Sequence, residues 1–201
     1  LDILITEYCK YGNANNFLKK NIHKLSDLDL KIFIFQLLSG IVTLQYHLPH
    51  FKHNDLHNEN VLVGNYNLKF KKGNNKFIKY ILFDKEFYIP LREYCVKIYD
   101  FDTLYAKDFK NSKIDDNIYK EVGVTRKDNP IFDYHLSLNS IFDINNFDPK
   151  KHKETSIFFD EQIPEKYRGV SNNFISYARL TNYRKTYDLN NTNLIPHEIK
   201  T

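Results

Sequence analysis

A short polar segment that leads directly into a branched apolar run places the tightest constraint on this chain. Residues 53–60 read His-Asn-Asp-Leu-His-Asn-Glu-Asn, and residues 61–63 read Val-Leu-Val. The branched run predicts a buried strand, whereas Asn and Asp favour loops because their side chains bond to nearby backbone. Asp55 and Asn60 stand five positions apart on this loop, and the strand that follows fixes their spacing in space.

A second acid, Asp100, lies at the end of another apolar run, residues 95–99. One acid near an acceptor hydroxyl, with an Asn and an Asp that converge on a divalent cation, is the equipment that phosphoryl transfer requires. The residues alone leave a simpler interpretation open, since single Asp and Asn residues in loops are usually turn formers. The joint placement of Asp55, Asn60 and Asp100 beside strand-like runs favours the chemical interpretation.

Both segments resemble elements of protein kinases. Residues 53–60 resemble the H-R-D-L-x-x-x-N catalytic loop, and residues 99–102 (Tyr-Asp-Phe-Asp) resemble the D-F-G element. The resemblance is strongest to the serine/threonine kinases of large DNA viruses, whose catalytic loop is haspin-like. It implies an α+β fold, mainly α with short β-hairpins, and transfer of the ATP γ-phosphate to Ser or Thr of a protein substrate, with ATP and Mg²⁺ as cofactors.

The resemblance also implies roles for individual residues. Asp55 orients and deprotonates the acceptor hydroxyl, and His57 stands where other protein-serine kinases carry a Lys that touches the transferred phosphate. Asn60 and Asp100 hold Mg²⁺ against the phosphates.

The nucleotide pocket follows from the same resemblance, with residues 1–13 as the hinge strand and hinge. The Glu7 carbonyl and the Cys9 amide hold the adenine edge through backbone groups. Asn13 lies near the ribose, and Leu62 forms the floor under the adenine.

Two positions depart from the kinase pattern. Asn54 replaces the Arg of H-R-D, which leaves no guanidinium to pair with a phosphorylated activation segment, so the resemblance implies activity without phosphorylation of that segment. Asp102 replaces the Gly of D-F-G; it removes a flexible position and adds a carboxylate near the expected metals.

Helices frame the loop. Residues 16–22 predict a short helix, and Ser26, as N-cap with an acid three residues on, predicts a long one that Pro49 ends. The apolar positions of the long helix recur at i, i+3, i+4 and i+7: Leu30, Phe33, Ile34, Leu37, Leu38, Ile41 and Leu44.

A further helix is expected over residues 130–141. Its Asp133 either accepts backbone N–H bonds from His53 and Asn54, as the resemblance implies, or sits in the first turn because the helix dipole favours acids there.

The chain as a whole, residues 1–201, then corresponds to one catalytic domain that contains the C-terminal lobe of a kinase only. Its expected parts are listed in chain order: hinge strand and hinge 1–13, catalytic loop 53–63, inserted hairpin 66–91, activation segment 100–129, a turn at 163–169, a last helix at 174–183 and a loosely ordered tail at 188–201.

Composition bounds the rest. With 201 residues and 42% hydrophobic residues, the chain can bury one sizeable core. A net charge of +4 argues for no specific nucleic-acid partner. Two cysteines form no disulfide framework, which indicates a reducing compartment. No apolar run is long enough to span a membrane, so the expected location is the cytoplasm, or for a viral source the host cytoplasm or the virion.

The chain has no Met and begins within an apolar run, which predicts that its reading frame continues upstream. By resemblance, that part is a missing N-terminal lobe with a Gly-rich loop, a strand Lys and a helix Glu. Two rival functions stay open: a small-molecule phosphotransferase of the aminoglycoside or choline kinase type, and a non-catalytic pseudokinase or binding fragment.

Overall fold

The computed structural model describes residues 6–66, 76–115, 124, 126, 128–144 and 146–163. Within these ranges the chain forms four α-helices and four β-strands. The helices are α1 (Ala14–Asn21), α2 (Asp27–His47), α3 (Phe132–Phe142) and α4 (Lys153–Gln162). The strands are β1 (Val61–Asn65), β2 (Phe77–Leu82), β3 (Lys85–Pro90) and β4 (Tyr94–Ile98). The fold is α+β and mainly α, as predicted.

Helix α2 is the central helix, and it begins and ends where the sequence predicts. Ser26 Oγ accepts from the Asp29 amide at 3.1 Å, while the Asp29 carboxylate accepts from the Ser26 amide at 3.0 Å. This reciprocal capping box satisfies two of the amides that a helix N-terminus leaves unpaired. The helix stops at His47, two residues before Pro49. Ile32 and Gln36 are buried beside the predicted stripe, so α2 is enclosed on more than one face.

Strand β1 directly follows the loop at 53–60 and is paired on both edges. On one edge it is antiparallel to β4, with Val61 opposite Ile98 and Asn65 opposite Tyr94. On the other edge the Val63 amide donates to the Gly12 carbonyl at 2.8 Å, and residue 13 bridges to residue 62. The segment before α1 is thereby fixed next to the loop that precedes β1.

Strands β2 and β3 form a separate antiparallel hairpin inside the predicted insertion, 66–91. Phe83 and Asp84 make the two-residue turn, and Phe83 adopts the left-handed conformation that such turns need. The inner face of the hairpin packs on α2, where the Phe35 ring lies 5.1 Å from the Tyr80 ring and 5.5 Å from the Phe87 ring. Residues 67–75 of the insertion lie outside the described residues.

The remaining sequence predictions concern the first strand, which is the hinge strand, and the C-terminal part of the chain. Thr6–Tyr8, the described part of the predicted first strand, has no strand pairing. Helix α4 was not predicted, because its buried positions, Thr155 and Phe159, show too little periodicity in the sequence. The rest of the predicted first strand, most of the 163–169 turn, the 174–183 helix and the 188–201 tail lie outside the described residues. No helix in the described part of the chain combines the length and apolar character needed to cross a membrane.

Helix α3 carries a buried histidine that makes stability depend on pH. Burial lowers the pKa of His135 from 6.5 to about 4, because the apolar surroundings disfavour the charged imidazolium. The unfolded chain therefore binds a proton that the folded chain does not bind between these values, and the free energy of unfolding falls as the pH drops through this window.

We expect the free energy of unfolding to fall by about 2 kcal/mol more in the wild type than in His135→Gln between pH 7 and pH 5. Urea unfolding at the two pH values measures this difference. His47→Gln, which removes an exposed histidine from α2, serves as the control and should track the wild type. Equal pH dependence in the wild type and His135→Gln would contradict the assignment.

Candidate active site

The loop before β1 is held in place by a buried carboxylate from α3. Asp133 accepts from the His53 amide at 2.7 Å and from the Asn54 amide at 3.1 Å. Its side chain is fully enclosed, and burial raises the pKa of the Asp133 carboxyl while His53 and Lys52 oppose that rise. Of the two interpretations of Asp133, the structure selects the one in which it fixes the loop.

His53 joins this loop to the segment after β4. Its Nε2 lies 2.9 Å from the Tyr99 carbonyl and donates to it, and its ring lies 5.2 Å from the Phe101 ring. With Nε2 committed to a carbonyl and the ring buried, His53 is structural. The resemblance to kinases implies the same for His53: a structural residue that packs on the element around Phe101 and is not a base.

Asp55 and Asn60 lie in direct contact at the end of the loop. Asn60 Nδ2 donates to the Asp55 carbonyl at 2.8 Å and to the Asp55 carboxylate at 3.1 Å. His57 lies on the other side of the carboxylate, with Nε2 3.4 Å from Asp55 Oδ1. The Glu59 amide donates to His57 Nδ1 at 3.2 Å, which places the proton of a neutral ring on Nε2, facing Asp55.

The strand pairing brings Asp100 to the same end of the sheet. The Tyr99 amide donates to the Asn60 carbonyl at 3.0 Å, which continues the β1–β4 ladder by one step beyond Val61 and Ile98. Asp100 then turns away from the ladder with φ 61°, in the left-handed region that costs a non-glycine residue free energy. Its side chain is exposed and makes no hydrogen bond or ion pair with the described residues.

The residues expected around the nucleotide lie along the other edge of β1. Leu62 is half-buried on the strand and pairs with Lys97, and Asn13 caps α1 by accepting from the Asn16 amide at 2.9 Å. That capping role was not seen in the sequence. The Glu7 carboxylate pairs with Lys97; the Glu7 carbonyl and the Cys9 amide have no hydrogen-bond partner in the described part of the chain.

The segment after Asp100 is tied to the catalytic loop through neutral groups. Asn54 Nδ2 donates to the Thr103 carbonyl at 2.9 Å, and Thr103 Oγ1 donates to the His53 carbonyl at 2.8 Å. Lys52 and Tyr105 then exchange a pair of backbone hydrogen bonds of 2.7 and 2.8 Å. Asn54 thus occupies the place of the missing Arg with uncharged contacts.

Asp102 contacts the segment that follows it. Its carboxylate forms an ion pair with Lys113 at 2.5 Å, and its carbonyl accepts from Asn111 Nδ2 at 2.9 Å. These contacts fold the start of the segment 100–129 back on itself. The Asp102 side chain thus adds one exposed ion pair to this segment.

Sequence reasoning missed three positions that fix the site. Thr103 and Lys52 are buried beside the loop, and Asn58 donates from a fully buried side chain to the Ser140 carbonyl of α3. Buried polar side chains are almost always hydrogen-bonded. The density of Asn and His in residues 53–60 was the one available signal, because a surface loop does not need so many donors.

Comparison with known proteins agrees with this arrangement. A family model described as protein tyrosine and serine/threonine kinase matches residues 2–115. The chain is 27% identical over 186 residues to a "putative serine/threonine-protein kinase" of Acanthamoeba polyphaga mimivirus. That match covers 90% of this chain and 39% of the relative, so the chain spans less than half of the relative's length. No solved structure matches significantly.

The family match includes the whole loop that Asp133 holds, both strands of the β1–β4 pair and Asp100. The matched range therefore contains the segments that carry Asp55, Asn60 and Asp100. The chain belongs to the protein tyrosine and serine/threonine kinase family.

Proposed function

We propose that this chain is the C-terminal lobe of a protein kinase that transfers the ATP γ-phosphate to Ser or Thr of protein substrates. The observation that carries the proposal is the contact between Asp55 and Asn60 on a loop that Asp133 fixes from below. In phosphoryl transfer the protein contributes mainly positioning and electrostatic stabilisation, and both require a rigid loop.

In this proposal Asp55 orients the acceptor hydroxyl and takes its proton as the new phosphate ester forms. The carboxylate is half-buried, so one side meets the solvent from which a substrate arrives. A hydrogen bond from Asn60 and the nearby His57 Nε2, 3.4 Å from Asp55 Oδ1, hold the carboxylate in one orientation. We assign His57, whose Nε2 lies 3.4 Å from the Asp55 carboxylate, as a donor to the transferred phosphate.

The donor set around Asn60 and Asp100 fits Mg²⁺. Asn60 directs its amide nitrogen toward Asp55, which leaves its carbonyl oxygen for another ligand, and the Asp100 carboxylate is exposed and unpaired among the described residues. Mg²⁺ prefers oxygen ligands and usually binds through one or two protein side chains plus phosphates and water. Bound there, Mg²⁺ would neutralise the developing phosphate charge.

The same residues support an adenine site along β1. The Glu7 carbonyl and the Cys9 amide have no hydrogen-bond partner among the described residues, and Leu62 offers an apolar side chain on β1 opposite residue 13. We propose these groups, with Asn13 near the ribose, as the half of the nucleotide cleft that this chain supplies. An N-terminal lobe in a longer protein would supply the other half, and the greater length of the mimivirus relative supports this.

The two rival functions differ from this proposal in what they require. A small-molecule phosphotransferase would use the same loop with a different acceptor site, whereas a pseudokinase would lack a working Asp55, Asn60 or Asp100. All three residues are present, which favours an active enzyme. The name of the mimivirus relative favours a protein acceptor.

We expect the full-length protein to phosphorylate Ser or Thr in basic proteins or casein and to leave choline and aminoglycosides unmodified. Transfer from labelled ATP to each acceptor, followed by phosphoamino-acid analysis, measures this. Turnover on the small molecules alone would replace the proposal by the first rival. Labelled phosphotyrosine as the main product would keep the enzyme class and overturn the Ser/Thr assignment.

A further inference from the structure

A lysine lies inside the protein directly before the catalytic loop, and neither the family resemblance nor the proposed mechanism uses it. The Lys52 side chain is 1% exposed. Lysine is almost never buried to this extent without compensation, because removal of an ammonium from water is costly. Its backbone is fixed on both sides by the hydrogen bonds with Tyr105, so the direction of the side chain is set by the fold.

The ammonium of Lys52 points toward the start of α3. Its Nζ lies 5.0 Å from the centre of the Phe132 ring, within the range of a cation–π contact. The next residue is Asp133, whose carboxylate is attracted by Lys52. The buried ammonium thus lies beside Phe132, the residue that precedes the buried carboxylate, and its positive charge favours the ionised form of Asp133.

The carboxylate of Asp133 must accept several hydrogen bonds while it is buried. It accepts two backbone amides at once, from His53 and Asn54, and it can do so fully only while ionised. It also holds Asn54 at φ 69°, a left-handed conformation that persists only where the surroundings impose it. An enclosed carboxylate without a positive neighbour would tend to take up a proton and lose acceptor capacity.

We propose that Lys52 is a positioning residue for phosphoryl transfer, whose buried ammonium keeps the Asp133 carboxylate in its loop-holding form and thereby fixes the orientation of Asp55. This inference rests on the proposed function for its catalytic consequence, although its structural half does not. Lys52 does not touch the reacting atoms; it acts through Asp133 and the two amides.

The simpler alternative is that Lys52 only anchors the segment around Tyr105. That anchoring uses backbone groups alone, so it survives a change of side chain. Lys52→Met keeps the length and apolar stem of the side chain and removes the charge, whereas Lys52→Arg keeps the charge. The two variants therefore separate the roles of charge and backbone.

The test is a double-mutant cycle in the full-length protein with Lys52→Met, Asp133→Asn and the double variant, and with Lys52→Arg beside it. Hydrogen exchange of the His53 and Asn54 amides gives one readout, and kcat and KM for ATP give the other. Lys31→Met, which removes a surface lysine paired with Glu154, is the matched control and should change neither.

We expect Lys52→Met to speed exchange of the two amides and to lower kcat, each by about tenfold, which is within the range for directly coupled neighbours. KM for ATP should stay within about twofold, because the hinge residues lie on the other edge of β1. Lys52→Arg should stay close to wild type. In the Asp133→Asn background, Lys52→Met should have less than about a twofold further effect, since the charge it compensates is gone.

Additive effects of Lys52→Met and Asp133→Asn would overturn the proposal, as would Lys52→Arg behaving like Lys52→Met. If Lys52→Met fails to fold, the proposal requires the double variant to fold again, and failure of both would also overturn it. If no acceptor is phosphorylated by the wild type, the proposed function fails, while the exchange measurements still decide whether Lys52 supports Asp133.

Discussion

Asp55→Asn is expected to lower kcat by ~10²–10⁴-fold, the usual contribution of a positioned general base, while the protein stays folded. A carboxamide has nearly the same volume as the carboxylate, and Asp55 is half-buried at the end of a loop that Asp133 holds independently. The change removes the proton acceptor. It also replaces one carboxylate oxygen, which can accept from Asn60, by an NH₂ group, which can only donate. Steady-state kinetics in the full-length protein, with circular dichroism to confirm folding, measure the effect.

The matched control for this variant is Asp84→Asn. Asp84 lies in the exposed turn of the β2–β3 hairpin, which forms a sheet separate from the β1–β4 pair, so the same chemical change there should leave kcat unaltered. An unchanged kcat in folded Asp55→Asn would remove the central claim and would leave a kinase-like scaffold without the proposed chemistry.

Asp100→Asn should affect the metal requirement more than the maximal rate. Loss of a first metal ligand should raise the Mg²⁺ concentration for half-maximal activity by at least ~10-fold, because even changes to groups that only support a ligand cost about 10–100-fold in metal affinity. The fold should be unaffected, since the side chain is exposed and supports no contact among the described residues. A Mg²⁺ titration of each variant distinguishes this behaviour, with activity partly restored at high metal.

Asn60→Ala provides a sharper comparison than the sequence suggested. The sequence assigns Asn60, like Asp100, to the metal, which predicts that Asn60→Ala resembles Asp100→Asn more than Asp55→Asn. The structure shows that its amide also donates to the Asp55 carboxylate and carbonyl. We therefore expect a raised Mg²⁺ requirement together with a lower kcat that high metal does not restore. Full restoration of Asp100→Asn and of Asn60→Ala by Mg²⁺ alike would contradict the second role of Asn60, and no shift in Mg²⁺ requirement in either would contradict the metal assignment.

The sequence by itself determined the elements whose signals are local. Ser26, Asp29 and the apolar spacing that follows specify α2, because a capping box and a 3.6-residue period depend only on near neighbours. Local sequence likewise predicted the loop at 53–60, the strand that follows it and a hairpin within 66–91. The resemblance to kinases rested on the two short motifs at 53–60 and 99–102, and the family match then showed membership.

Only the tertiary structure decided what holds these residues together. Asp133 could have been a simple first-turn acid, and it became the anchor of the loop because α3 packs beneath residues 53 and 54. In the sequence, Asp102 is a departure from the D-F-G pattern close to the expected metal ligands. Only the fold shows that Lys113 forms an ion pair with it. Helix α4 and the burial of Lys52 carry no local signal at all. The hydrogen bond between His53 and Asp133 joins residues 80 positions apart. Spacing along the chain does not predict which distant donor will meet which acceptor.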